Sequence, residues 1–255
     1  MLPEHKWEIA VLAGSYYTDL TQRFSGNDIA LAYENDYMGM QSFAFSYHID
    51  ELDDPADVGR RLYSLQLLLN GALRLSSGKA TEWPIVFTDF AAVNGGCRHP
   101  VYANTIEETP FSSNPEIDES LRDSKLLKNL CSSHLLNLAK SDQDLRGLLF
   151  LVGLISINSP LECILTWGTL YKILDSIRFY SKELGLEVDS FAASNQVNAF
   201  TAACNNMSIL GVYARHGAAG NSPPKKFISD INEAIGLIVR MASAFCQAYV
   251  AAKHP

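Results

Sequence analysis

The sequence predicts an α+β fold: a mixed α/β region followed by an all-helical bundle. Three observations carry this expectation. Short runs before residue 100 alternate apolar with polar residues, and long runs after residue 117 repeat leucine, isoleucine and alanine at helical spacing. Between them lies "RHPVYANTIEETPFSSNPEI" at 98–117, rich in Pro, Ser, Asn and Thr, which marks the expected boundary. The expected domains are therefore 1–110 and 118–255.

In the first region, "NDIALAYEND" and "MQSFAFSYHID" flank a turn-like Asp36 to Gly39 and predict a hairpin. In "DDPADVGRRLYSLQLLLNGALRLSSG", Asp54 fits an N-cap and Pro55 a first helical position, with Val58, Leu62, Leu65, Leu69 and Ala72 on one face. "EWPIVFTDFAAVNGG" returns to a strand and stops at Gly95-Gly96.

In the second region every element reads as helix. "SLRDSKLLKNLCSSHLLNLAK" and "DQDLRGLLFLVGLI" come first. "SPLECILTWGTLYKILDSIRFYSKEL" opens with Ser159 as N-cap, Pro160 at the first position and Glu162 placed to reach back to the free amide of the cap; Ile164, Trp167, Tyr171, Leu174 and Ile177 form its expected buried face. "DSFAASNQVNAFTAACNNMSILGVYARHG" predicts one continuous helix capped by Asp189 or Ser190. "SDINEAIGLIVRMASAFCQAYVAA" predicts a last helix capped by Ser229 that buries Ile231, Ile235, Ile238, Ala242, Phe245 and Tyr249.

The chain has 255 residues, 47% hydrophobic, enough to bury a sizeable core. Its 28 acidic against 20 basic residues give a formal charge of -8, so nucleic acid contact requires a local basic patch. Five scattered cysteines, at 97, 131, 163, 204 and 246, read as reduced thiols of a cytoplasmic protein. The start lacks the pattern of a secretory signal, and "GLLFLVGLISI" at 147–157 is too short to span a bilayer, so no membrane contact is expected.

The helix over 189–217 carries Asn195, Gln196, Asn198, Asn205 and Asn206. On a regular helix Asn206, Tyr213 and His216 share one face, as a polar stripe toward a cleft or as ordinary solvent cover. Arg215-His216 likewise has two readings. Cations in a last turn before a left-handed Gly217 complement the helix dipole. Alternatively, metal-free RNA cleavage needs a base of near-neutral pKa and a fixed cation, roles that suit His and Arg, with Lys225 and Lys226 adding basic charge nearby.

"WGTLYKILDSI" at 167–177, the amide-rich helix ending in "ARHG", the "PPKK" loop and the long capped terminal helix together resemble the HEPN superfamily, most closely its uncharacterised bacterial and abortive-infection-type members. The resemblance covers roughly 120–252. It implies a helical bundle that commonly forms a homodimer and, in active members, cuts RNA without metal as a toxin or antiviral effector. On that footing Arg215 holds the phosphate, His216 is the base or orienting group, Asn206 positions the substrate, and Asn205, Tyr213, Lys225 and Lys226 contribute to binding. It also implies an antitoxin or defence-system partner. The chain departs from the family pattern in having Arg215 and His216 adjacent, so that on a regular helix they diverge by about 100°. The other class the residues allow is a catalytically inactive dimeric interaction or sensor module.

No cofactor is expected: no phosphate-cradling glycine loop, nucleophile elbow or dinucleotide fingerprint occurs. "CRH" at 97–99 and "CSSH" at 131–134 supply two Cys and two His, but the first spacing is too tight for paired zinc ligands. Asp53-Asp54 and Glu107-Glu108 read as solvated turn residues.

Overall fold

Alternating apolar positions in the first region build a five-stranded antiparallel sheet. In the computed structural model, residues 5–12, 21, 28–36, 39–79, 84–102, 104–113, 115, 131–217 and 224–254 are described. The strands are β1 (Trp7–Leu12), β2 (Ala30–Asp36), β3 (Gly39–Phe45), β4 (Val86–Ala92) and β5 (His99–Pro100), in the order β2-β3-β1-β4-β5. The expected hairpin pairs Ala30 with Phe45 through to Asp36 with Gly39. A register shift on β4 between the partners of Ala10 and Val11 leaves Thr88 unpaired.

Helix α1 (Pro55–Ser77) begins where expected, the Asp54 carboxylate accepting from the Ala56 amide at 2.8 Å. Val58, Leu62, Leu65, Leu69 and Ala72 are all buried. The Asn70 amide pairs with both backbone groups of Ile85, next to β4. Gly59 approaches the chain after β5 so closely that a Cβ there meets Pro100 O at 2.9 Å and the Tyr102 ring at 2.6 Å.

Further helices among the described residues are α2 (Ser132–Ala139), α3 (Gln143–Gly153), α4 (Pro160–Leu184), α5 (Ser194–Cys204), α6 (Met207–Leu210) and α7 (Ile231–Lys253). The fold is thus α+β. Residues 116–130, the first half of the helix expected over 120–140, lie outside the described residues. Two compact units partition the chain: residues 1–72 with 81–146, and 73–80 with 147–255. The division passes through α1 and α3, whereas the boundary expected at 98–117 falls inside the first unit. That segment is tied down there: Glu107 bonds Arg61 and its amide donates to Ser64 Oγ at 2.8 Å, while Ser113 binds Glu51. Asp53 is exposed, as expected, and pairs with Lys6, whereas Glu107 is half-buried and pairs with Arg61.

A polar network fastens the first unit. The buried Asp28 carboxylate receives the Lys140 ammonium at 2.7 Å, Tyr47 OH at 3.1 Å and His48 Nε2 at 3.0 Å. His48 Nδ1 accepts from the Ser112 amide at 3.1 Å, which puts the ring proton on Nε2 and makes the imidazole neutral. Lys140 is therefore the counter-ion and His48 a neutral donor. Burial lowers the His48 pKa and outweighs its hydrogen bond to Asp28. Burial also works to raise Asp28, but bonds from His48 and Lys140 hold it below the usual carboxylate range.

In the second unit the core is formed by α4 (Trp167, Leu170, Ile173, Leu174, Ile177), α5 (Val197, Phe200, Ala203) and the buried face of α7. Ser159 caps α4, but Glu162 bonds the Asn158 amide at 2.8 Å and the Ser156 hydroxyl, one residue upstream of the expected cap amide. Ile164 is exposed and Tyr171 half-buried, because the buried stripe runs through Leu170 and Ile173 instead. Asp230, not Ser229, caps α7, its carboxylate accepting from the Glu233 amide at 2.8 Å, and Ile231 is only half-buried. Helix α7 is long and apolar enough to cross a membrane by length and composition, yet 67% of its apolar window is buried inside the structure. Arg74, from the end of α1, donates to Val152 O at 2.7 Å, and Ser243 of α7 to Leu75 O at 2.6 Å.

The His48 site predicts a pH dependence. An unfolded His gains a proton near pH 6.5, and the folded one only at lower pH, so stability falls as pH drops below about 6.5. Asp28 adds a further loss as pH falls through its lowered pKa. The difference in thermal midpoint between the native chain and His48→Gln is largest at neutral pH and narrows below about 6.5; a constant difference from pH 7.5 to 5 contradicts the assignment.

Candidate functional site

The amide-rich segment is not one helix. Its start is a 3-10 turn at Val188–Ser190 in which neither Asp189 nor Ser190 caps α5; α5 begins at Ser194 and ends at Cys204. Asn205 takes φ -93°, ψ 2°, and Asn206 is extended at φ -126°, ψ 105°. The Asn206 carboxamide oxygen then accepts from the Ser208 amide at 3.0 Å and the Ser208 hydroxyl at 2.7 Å, capping the one-turn α6. The chain breaks there because an Asn side chain competes with the helix for backbone donors. A 3-10 turn at Gly211–Tyr213 follows, starting at a glycine with φ 57° and ψ -129°, where a side chain is strained.

This break removes the shared polar face and the helix-end reading of Arg215-His216. Asn206, Tyr213 and His216 do not share a helical face. Gly217 does not take a positive φ, and Arg215 and His216 do not form a helix's last turn. The divergence of 100° that a regular helix imposes on adjacent residues does not apply to them either.

Arg215 is instead held by tertiary contacts. Its amide donates to Cys204 O at 2.7 Å, satisfying one of the carbonyls left open at the end of α5. Its guanidinium lies over the Tyr171 ring of α4, 4.0 Å from the centroid. Arg215 is exposed, and its side chain makes no hydrogen bond or ion pair among the described residues. His216, next in the chain, is exposed and without a partner among them. Burial pushes the Cys204 thiol up to about 12 against the opposing charge of Arg215, so this cysteine is inert packing.

Asn206 is buried, and its carboxamide oxygen is committed to its cap. Asn205 is half-buried, and its carboxamide oxygen accepts no hydrogen bond among the described residues. Tyr213 is half-buried. Lys225 and Lys226 are exposed on a cleft of about 430 Å³, also lined by Asn195, Gln196, Phe227 and Glu233. The structure thus separates the expected residues into Arg215 with His216 at the C-terminal end of α5, and the lysines at its N-terminal end.

Tyr171 as the platform for Arg215 was not legible from spacing, since the two residues lie on different elements. Phe227 was missed as well, although its place directly after two lysines was a signal. Among the described residues, no group of three or more His, Cys, Asp or Glu is arranged to hold a metal; Cys97 is exposed in a loop and Cys131 stands just before α2. In the first unit, the charged groove by Arg60 and Arg61 is internally paired with Asp57, Glu51 and Glu107. No protein-family profile, curated protein or solved structure matches the chain.

Loss of the Asn206 cap has a measurable cost. Asn206→Ala lowers stability by about 1 kcal/mol in denaturant unfolding, while Asn206→Asp, which keeps the acceptor, costs less.

Proposed function

We propose that the second unit is a HEPN-like helical module that acts on RNA without metal, as a bacterial toxin or antiviral defence effector. The observation that carries this reading is the Arg215 guanidinium, stacked on Tyr171 at 4.0 Å with its N–H groups unengaged by other described side chains. A cation held flat by a ring has already lost much of its rotamer freedom, so it binds a phosphate in bidentate fashion at lower entropic cost. The neighbouring exposed His216 supplies the base. In the reaction, His216 takes the 2′-hydroxyl proton, the 2′-oxygen bonds to phosphorus, and the bond to the 5′-oxygen breaks. The leaving oxygen takes a proton from water, and a 2′,3′-cyclic phosphate remains. Arg215 stabilises the charge on the phosphoryl oxygens.

Incubating the protein with end-labelled RNA in EDTA tests this. Cleavage survives chelation, leaves a cyclic phosphate, and falls at least 100-fold in His216→Ala, about the usual contribution of a positioned base. Tyr171 is a positioning residue: Tyr171→Ala raises KM, whereas Tyr171→Phe, which keeps the ring, does not.

A second reading, a catalytically inactive dimeric module that engages an antitoxin or another defence protein, is favoured by the exposed face of α4. Leu161 at 65% exposure and Phe179 at 61% lie in line along that helix, since eighteen residues are five full turns, with Leu165 at 59% beside them. Absence of cleavage, together with a homodimer in light scattering that Leu165→Glu dissociates, selects this reading.

A further inference from the structure

We infer that the cleft at the N-terminal end of α5 is a subsite for one base of single-stranded RNA, an inference that rests on RNA being the ligand of Arg215 and His216. Its central element is Phe227, 46% exposed and with no stacking partner among the described residues. The ring is not loosely tethered. Ile228 is buried, and its amide donates to Ala199 O of α5 at 3.3 Å, which fixes the backbone beside the ring. An exposed aromatic face on an anchored segment is what sequence-tolerant base stacking requires.

The polar groups around the ring divide into two sets. Asn195 and Gln196 are exposed on the first turn of α5, and their carboxamides make no hydrogen bond among the described residues. Each offers both donors and an acceptor, the pattern that meets a base edge. Lys225 and Lys226 are exposed cations with no ion pair among the described residues, and they suit the flanking phosphates. The Glu233 carboxylate, which also lines the cleft, disfavours a phosphate beside it.

The cleft and Arg215 stand at opposite ends of α5. Helical rise puts about 14 Å along the axis between Asn195 and Cys204, whose carbonyl holds the Arg215 amide. A few nucleotides of extended strand cover that distance. A base on Phe227 therefore holds the strand while the phosphate a few nucleotides away lies at Arg215. An acidic protein segment could use the lysines, but it leaves the paired donors and acceptors of Asn195 and Gln196 unused.

The test uses the full chain and a fluorescein-labelled 2′-O-methyl oligoribonucleotide, which has no 2′-hydroxyl to attack, followed by anisotropy in EDTA. Phe227→Ala weakens binding about tenfold with an unchanged salt slope, and Phe227→Trp retains it. Replacing Lys225 and Lys226 by Ala lowers the slope of log K against log salt by about 0.7 per lysine. Phe227→Ala that binds as the native chain does, or a poly-glutamate probe that alone depends on Phe227, overturns the subsite. Cleavage of unmodified RNA, measured separately, distinguishes the two levels. Normal cleavage with an unchanged KM in Phe227→Ala removes the subsite and leaves the nuclease standing; Phe227-dependent binding without cleavage supports the subsite and removes the nuclease; no binding by the native chain removes both.

Discussion

One backbone hydrogen bond, from the Arg215 amide to Cys204 O at 2.7 Å, governs the geometry of the candidate site. The chain leaves α5 at Asn205, makes two short turns and returns to the same helix end. That return needs the Asn206 cap at one corner and the left-handed Gly211 at the other. Its result is a guanidinium resting on an aromatic face instead of a carboxylate. A carboxylate neutralises an arginine, whereas a ring leaves its charge and its hydrogen-bond donors open to a ligand.

Electrostatics sharpen this arrangement. The chain carries a formal charge of -8, yet Arg215, Lys225 and Lys226 cluster at the two ends of one helix without acidic partners among the described residues. A net charge of -8 repels polyanions at long range, so a polyanion contact depends on such local cations. On the proposed RNA reading, binding draws on those cations and its strength falls steeply with salt.

Legibility followed the range of the interactions concerned. The hairpin, α1 with its Asp54 cap, and helices α3, α4 and α7 were visible, since each rests on periodicity and local capping. The break at Asn205-Asn206 was not. A run of Ala, Phe, Cys and Met at helical spacing continues through it, and the decision lies with one carboxamide oxygen that prefers Ser208 to a helix. Arg215, His216 and the two lysines stood out in the sequence as candidates, but their placement did not. Tyr171 and Phe227 acquire their roles only through tertiary packing, which no spacing encodes. Composition alone places no unit boundary: proline and serine mark a turn equally well whether the chain leaves a unit or folds back onto it.

The Asp28 network has a consequence for the order in which the first unit can form. Asp28 precedes β2, His48 follows β3, Ser112 lies in the segment after β5, and Lys140 comes at the end of α2. Nearly half the chain separates the carboxylate from its ammonium. Strand pairing can begin early, but the closing contact carries a large loop-closure entropy and a high contact order. During synthesis, then, the Asp28 carboxylate has no Lys140 counter-ion until the end of α2 has left the ribosome.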